Sequence, residues 1–269
     1  MRLFSNIYTH KFDACRRMFP GAGEGRLDLR REASASGRKH PPRAEGQFGR
    51  VRQNSYIYAD NSKLMKVLLI NGSPRPKGNT SIALAEVAGQ LEKNGIESET
   101  VWIGNKPVRG CIACNKCKEK PGACTFNDDV CNSISAKFAG CDALVVGSPV
   151  YWGQPNGALL SIIQRAFYSN GADIAGKPAA AVAVCRRGGA TASFETLNMP
   201  FQMMNMPVVT SQYWNIVYGR DQGDAALDAE GLQTMRALAN NISWLLKATG
   251  GKPAPGRGDE AWKPMHFIR

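Results

Sequence analysis

Histidine is scarce in this sequence. The 269 residues include 3 histidines, which are His10, His40 and His266. The sequence therefore offers almost no histidine for a hydrolase or transferase that uses histidine as its base, or for a zinc site built on histidine. Redox chemistry carried by a bound cofactor needs no such base, so the scarcity of histidine does not exclude it.

Long apolar runs are also missing. No stretch approaches the roughly 20 residues of a membrane-spanning helix, and the longest candidates, such as Ala179–Cys185, have the length and composition of a strand. The N-terminus lacks the apolar region and cleavage site of a secretory signal. We therefore expect no membrane span and a cytoplasmic protein whose cysteines meet a reducing environment.

The net charge of +12 is unevenly distributed. Residues 1–64 carry a net charge of +7 and residues 65–269 a net charge of only +5. Residues 1–64 show no sustained helical or strand period and are broken by glycine and proline, which predicts a disordered basic extension or the product of an upstream start codon. A targeting peptide or a basic arm is the alternative. The segment lacks interleaved aromatic residues and any docking motif, so we expect no nucleic-acid partner.

Strand and helix patterns alternate from Met65 onward. Strands are predicted at 66–71, 97–103, 142–147 and 177–185, with a fifth made of 207–210 and 213–217, and apolar helical stripes at 84–91, 130–138, 159–166 and 235–242. Strands that alternate with helices of this length form a parallel sheet covered on both faces. The sequence therefore predicts one α/β domain over residues 65–269, with a doubly wound, five-stranded parallel sheet.

A loop rich in small polar residues follows the first strand and enters a helix. At this place a parallel sheet presents backbone N–H groups to an anion. It is not a Walker A loop, because Gly78 is followed by Asn-Thr. The pattern indicates either a phosphate site or an ordinary turn between strand and helix. The candidate ligands are Ser73, Arg75, Gly78, Asn79, Thr80 and Ser81.

Two further loops follow the third and fourth strands. The first has adjacent aromatic residues, which could form a flat wall for a planar ring or lie buried under the next helix. The second has adjacent glycines, which allow close approach of the backbone to a ligand but also occur in plain turns. The candidate ligands are Pro149, Val150, Tyr151, Trp152, Gly153, Arg186, Gly188 and Gly189.

Four cysteines lie in one compact segment, at Cys111, Cys114, Cys117 and Cys124. Four thiolates suit a tetrahedral metal or an iron–sulfur cluster, although the spacing differs from that of bacterial ferredoxins. Zinc and free thiols are the alternatives. The surrounding basic residues could offset an anionic cluster, dock an acidic partner or form a solvated face. They are Lys106, Arg109, Lys116, Lys118 and Lys120. Cys131 and Cys141 are predicted to be ordinary buried cysteines.

The three loops together resemble the NADPH-dependent FMN reductase family of flavodoxin-like proteins, from Met65 to Arg269. The most specific pieces are Gly-Ser-Pro-Arg…Gly-Asn-Thr at 72–80, Asn-Asp-Asp at 127–129 and Gly-Ser-Pro-Val-Tyr-Trp-Gly at 147–153. The resemblance implies a flavodoxin-like domain with the FMN phosphate on the first loop, the isoalloxazine beside 149–153, and 185–189 closing over it. No catalytic side chain is expected, because the flavin carries the chemistry.

The cysteine segment is similar to that of the iron–sulfur flavoproteins, a branch of the same family that holds a [4Fe–4S] cluster beside FMN. The family resemblance implies an oxidoreductase that passes electrons from NAD(P)H through FMN to a small-molecule acceptor such as a quinone, nitro compound, flavin or metal ion. The branch implies the alternative, an electron-transfer protein with a ferredoxin-like partner. The family also implies a homodimer or homotetramer.

Overall fold

The computed structural model describes residues 64–119, 121–263 and 265. The extension predicted over 1–64 lies outside the described residues, apart from Leu64. Lys120, one of the basic residues around the cysteine segment, is also outside them. The division of the chain at Met65 therefore stays a prediction.

A parallel sheet forms the centre of the domain. Its strands are β1 (Lys66–Asn71), β2 (Glu97–Trp102), β3 (Ala143–Tyr151), β5 (Ala179–Cys185) and β6 (Ile216–Tyr218), arranged in the order β2-β1-β3-β5-β6. The short β4 (Gln154–Pro155) pairs antiparallel with the end of β3. Without β4, this is the strand order of flavodoxin. The predicted five-stranded, flavodoxin-like sheet is confirmed, and β4 is an addition to it.

Helices connect the strands and cover both faces of the sheet. They are α1 (Asn79–Lys93), α2 (Lys116–Glu119), α3 (Cys131–Ser135), α4 (Gly157–Asn170), α5 (Ala190–Met203) and α6 (Ala229–Thr249). Short 3-10 helices occur at Gly171–Asp173 and Asp224–Leu227. Among the described residues, none of these helices combines the length and the apolar character needed to cross a bilayer.

The alternation of side chains along the central strands creates two hydrophobic cores. In β1, Val67 and Leu69 pack with buried residues of α1 and α6 on one face. Leu68 and Ile70 point to the other face, into the core that contains residues of α3, α4 and α5. All residues of β5 are buried, as expected for a parallel strand covered on both sides. The doubly wound architecture follows from this two-sided burial.

Helix α5 was not predicted from the sequence. Its buried face includes the polar residues Ser193 and Asn198 beside Leu197, and Pro200 lies inside it. These residues interrupt the apolar stripe that identifies an amphipathic helix. Tertiary packing against β5 thus forms a helix that the hydrophobic pattern does not indicate.

Two predicted elements are shorter than the pattern indicated. Of the predicted fifth strand, made of 207–210 and 213–217, the first part is wrong, since Val208 makes only an isolated bridge to Ala179. The second part is confirmed only at its end, since β6 is Ile216–Tyr218. The predicted helix over 130–138 is confirmed only for Cys131–Ser135. The chain then continues in turns to the buried Phe138, so the apolar spacing is satisfied without a helix.

Candidate functional site

A cleft of about 160 Å³ opens at the carboxyl ends of four strands, where ligands bind in doubly wound sheets. The loops after β1, β5 and β6 and the ends of β3 and β5 line it. Most of the predicted cofactor residues are brought together here. These are Ser73, Arg75, Gly78, Asn79, Thr80, Pro149, Val150, Tyr151 and Arg186.

The remaining predicted cofactor residues do not line the cleft. They are Ser81, Trp152, Gly153, Gly188 and Gly189. The cleft also contains Cys185, the first residue of the predicted 185–189 loop, and residues that sequence reasoning missed, which are Val184, Gly219, Arg220 and Gln222. Val184 lies at the end of β5 and could have been found from the strand end. The segment after β6 carries no motif, so its only signal was its position after a strand.

The β1–α1 loop is held by its own polar groups. The backbone N–H of Ser73 donates to the Asn71 side chain at 3.0 Å, and the Ser73 hydroxyl accepts from the Arg75 N–H at 3.1 Å. The indole N–H of Trp102 donates to the Ser73 carbonyl at 2.6 Å. These bonds connect the loop to the ends of β1 and β2.

Helix α1 begins at this loop without a side-chain cap. Gly78 occupies the N-cap position, and no side chain accepts a hydrogen bond from the first turn. The first N–H groups of a helix have no partner within the helix, and its dipole adds partial positive charge there. The buried hydroxyls of Ser73 and Thr80 lie at the same end of the cleft. This arrangement suits the phosphate of a nucleotide.

The Asn79 side chain makes hydrogen bonds to the segment after β6. Its amide donates to the Asp221 carbonyl at 2.9 Å, and its oxygen accepts from the N–H groups of Gly223 at 3.1 Å and Ala225 at 3.2 Å. Asn79 therefore ties the start of α1 to the segment after β6. This tie brings Arg220 and Gln222 to the rim of the cleft.

The end of β3 and the short β4 form a tight hairpin. Its turn residues are Trp152 and Gly153, which have φ angles of 52° and 78°. Positive φ at both central residues is the signature of a type I′ turn. Tyr151 lines the cleft, but Trp152 is fully exposed on the turn and is not among the residues that line the cleft. Of the two predicted wall aromatics, only Tyr151 is placed at the cleft.

The glycine loop packs behind the hairpin. A Cβ atom on Gly189, which has a φ of 86°, would lie 2.6 Å from the Gly153 Cα and 3.0 Å from Val150. Gly188 has open space around its Cα. Gly189 therefore supports the wall of the cleft from behind, while Arg186 reaches its surface.

A separate pocket gathers the four predicted metal ligands. Cys111, Cys114, Cys117 and Cys124 all line it, and all four are free thiols. In the part of the chain that the structure describes, no three His, Cys, Asp or Glu side chains are grouped closely enough for one metal ion. Four cysteine sulfurs around one pocket are the ligand set of a tetrahedral metal site or of an iron–sulfur cluster.

Cys124 is the most firmly held of the four cysteines. Its backbone N–H donates to the Asn132 side chain at 2.8 Å, and its carbonyl accepts from the same amide at 2.9 Å. The buried Arg165 donates from Nε to the Cys124 sulfur at 3.4 Å. Burial by itself lowers the pKa of Arg165, but hydrogen bonds to Asp129 and Cys124 outweigh it, so the pKa rises and the guanidinium stays charged.

The two cysteines predicted to be structural are buried, which confirms that prediction. Burial raises the pKa of Cys131 to about 12 and that of Cys141 to about 11. Both are therefore thiols at neutral pH, whereas metal ligation and nucleophilic attack need a thiolate.

The sequence and structure were compared with known proteins. The model of the NADPH-dependent FMN reductase family matches residues 65–221. The chain belongs to this family. An iron–sulfur flavoprotein of Methanocaldococcus jannaschii is similar to this FMN reductase family member, with 35% identity over 191 residues that cover 68% of this chain and 98% of the relative. An iron–sulfur flavoprotein of Methanosarcina thermophila is 28% identical over 189 residues, with 68% and 96% coverage.

The fold of this FMN reductase family member has solved counterparts. The structure of RosB with a bound 8-demethyl-8-formylriboflavin-5′-phosphate intermediate matches with a TM-score of 0.56. Sequence identity is 16%, and the match covers 76% of this chain and 92% of RosB. Membership of the FMN reductase family makes the chain a flavoprotein oxidoreductase with FMN as its cofactor. The predicted family and the iron–sulfur flavoprotein branch are confirmed.

Proposed function

We propose that this protein is an iron–sulfur flavoprotein that passes electrons between a [4Fe–4S] cluster on the Cys111–Cys124 loop and FMN in the cleft. The observation that carries the proposal is the placement of the four cysteines around one pocket. Similarity to two iron–sulfur flavoproteins supports it. The cluster supplies one-electron chemistry when bound, and FMN accepts one or two electrons.

The protein's own groups would hold FMN at the cleft. The uncapped N–H groups at the start of α1 and the hydroxyls of Ser73 and Thr80 would bind the phosphate, with Arg75 adding positive charge. Tyr151 presents an aromatic surface to the same cleft. The hairpin and the glycine loop behind it would keep that surface in position.

Iron and acid-labile sulfide, measured on anaerobically purified protein, test the proposal. We expect about four irons per chain for a [4Fe–4S] site. Cys114→Ser should abolish or strongly reduce the iron content, because it removes one of four ligands. Cys141→Ala is the matched control, since Cys141 lies in the core outside the pocket, and it should retain the iron. Wild-type protein without iron would refute the proposal.

The surface around the cysteine pocket suits an acidic, ferredoxin-like electron donor. Lys116 and Lys118 lie on α2 within the cysteine segment, and the exposed Ile112 provides an apolar contact. Attraction between exposed charges weakens as salt screens them. The rate of reduction by a reduced ferredoxin should therefore fall with ionic strength, and more steeply for the wild type than for Lys116→Gln/Lys118→Gln. Equal salt dependence would contradict this docking mode.

A second candidate function is NAD(P)H-dependent reduction of small acceptors such as quinones, nitro compounds, flavins or metal ions. Arg186 and Arg220 line the cleft beyond the phosphate loop, where they could bind the phosphates of a dinucleotide. Anaerobic mixing with NADPH or NADH tests it directly. Rapid bleaching of the flavin absorbance would favour this function, whereas bleaching only by reduced ferredoxin would favour the first.

A homodimer or homotetramer is the proposed assembly. Large apolar side chains are exposed at the hairpin turn and on α5, among them Trp152, Met199 and Met203. Exposed apolar side chains of this size gain stability when another protein surface covers them. Light scattering of the purified protein measures the assembly, and a monomer at micromolar concentration would contradict the proposal.

A further inference from the structure

Arg165 is a charged side chain that is almost completely buried beneath the cysteine pocket. It lies on α4 with a relative exposure of 1%. Nη1 donates to the Arg109 carbonyl at 3.2 Å, and Nη2 donates to the Phe126 carbonyl at 3.0 Å. Asp129, whose side chain is 4% exposed, forms an ion pair with Nη1. The remaining contact runs from Nε to the Cys124 sulfur, at 3.4 Å.

Stability alone does not account for this arrangement. Transfer of two charged groups out of water costs several kcal/mol for each ion, and well-packed apolar residues are often as stabilising as a buried pair. The two carbonyl contacts and the ion pair fix the guanidinium plane. That plane directs Nε at one sulfur of the pocket.

Cys124 differs from the other cysteines of the pocket. The Asn132 side chain hydrogen-bonds to both the backbone N–H and the carbonyl of Cys124, and these bonds fix Cys124 to α3. Cys111 and Cys114 are exposed, on a loop that includes the left-handed residues Ala113 and Asn115. The Cys111 sulfur accepts a hydrogen bond from the neutral backbone N–H of Ala113, at 3.4 Å. Cys124 instead accepts from a charged donor, and charge-assisted hydrogen bonds are the stronger kind.

The Asn127-Asp128-Asp129 motif supplies this arrangement. Asp129 pairs with Arg165 and also accepts from the Cys131 N–H at 3.0 Å. Asp128 pairs with Arg109 at 2.7 Å, and the carbonyl of Arg109 is one of the contacts that hold Arg165. The motif thus connects the start of α3 to both arginines behind the cysteine pocket.

We propose that Arg165 is a positioning residue that orients Cys124 as a cluster ligand and raises the reduction potential of the bound cluster through its N–H···S hydrogen bond. The inference rests on the proposed [4Fe–4S] site. One-electron reduction adds a negative charge to the cluster, and the extra charge resides partly on the sulfurs. A charged donor at a ligand sulfur therefore stabilises the reduced state more than the oxidised state.

The test is the midpoint potential of the cluster in anaerobic redox titrations, with iron content and bound FMN measured on each sample. Arg165→Met alone would leave Asp129 buried without its partner, which destabilises proteins strongly. We therefore use Arg165→Met/Asp129→Asn, in which both charges are removed and the amide can still accept from Cys131. Arg165→Lys keeps the charge without the planar fork. Arg236→Met/Glu86→Gln is the matched control, because it removes an arginine–carboxylate pair between α1 and α6.

We expect the double variant at Arg165 to disfavour reduction about tenfold, which lowers the potential of a one-electron couple by about 60 mV. Loss of iron in that variant with full FMN content also supports the positioning role. Arg165→Lys should give an intermediate potential, and the control pair should leave it unchanged. A double variant with wild-type iron and potential would overturn the inference, as would an equal shift in the control. Wild-type protein without iron would instead refute the proposed cluster itself.

Discussion

Gly189→Ala is predicted to disrupt the wall of the flavin cleft. The residue has a φ of 86°, a left-handed conformation that costs an L-residue roughly 1–2 kcal/mol. The new methyl group would lie 2.6 Å from the Gly153 Cα, so the hairpin turn would have to move. We estimate a total destabilisation of about 2–4 kcal/mol for strain of this kind. For a domain of this size, that corresponds to a drop in melting temperature of about 5–15 °C.

Gly188→Ala provides the control at the neighbouring position. Gly188 lies outside the left-handed region, and no atom lies within 4 Å of an added Cβ. Alanine there should leave stability unchanged or slightly higher, since it restricts the unfolded chain. Thermal unfolding and FMN titration by flavin fluorescence should separate the two variants. Gly189→Ala with wild-type stability and FMN affinity, or equal losses in both variants, would refute this account of the cleft wall.

Three further perturbations test other contacts. Asn79→Ala should weaken FMN binding about tenfold or more, because it unties the segment after β6 from α1, as measured by FMN titration. Asp228→Ala should lower stability by about 1–2 kcal/mol in urea unfolding, since Asp228 caps α6 and also accepts from the Tyr218 N–H. Hydrogen bonds from Lys137 and Lys66 lower the pKa of Glu99. The stability that Glu99 contributes is therefore fully present at pH values above the ordinary carboxyl pKa, and it is lost as pH falls through the lowered pKa. The melting-temperature difference between wild type and Glu99→Gln should therefore shrink in acid, and a constant difference would contradict this pairing.

Much of the fold could be predicted because its signals are local. The apolar runs of β1, β3 and β5 and the stripes of α1, α4 and α6 follow from burial on both faces of a parallel sheet. Helix α5 escaped prediction since its buried face contains Ser193 and Asn198, which interrupt the apolar period. Strand β6 has only Ile216–Tyr218, too short to show a period of its own.

The candidate site was predictable where loops follow strands and less so where the chain folds back on itself. The β1–α1 loop and Tyr151 lie at the cleft, because carboxyl ends of parallel strands share one edge. Trp152 lies on the hairpin turn, where φ is positive, and does not line the cleft; no local pattern specifies this turn. In the sequence pattern, Arg165 is one polar residue of an amphipathic helix. Only the tertiary fold places it against Cys124.

The most direct test of the central claim is an iron and sulfide assay with an absorption spectrum, all on one anaerobically purified sample. We expect flavin bands above a broad iron–sulfur absorbance and about four irons per chain. Flavin bands without iron or sulfide would contradict the claim, and the four cysteines would then be free thiols beside an FMN site.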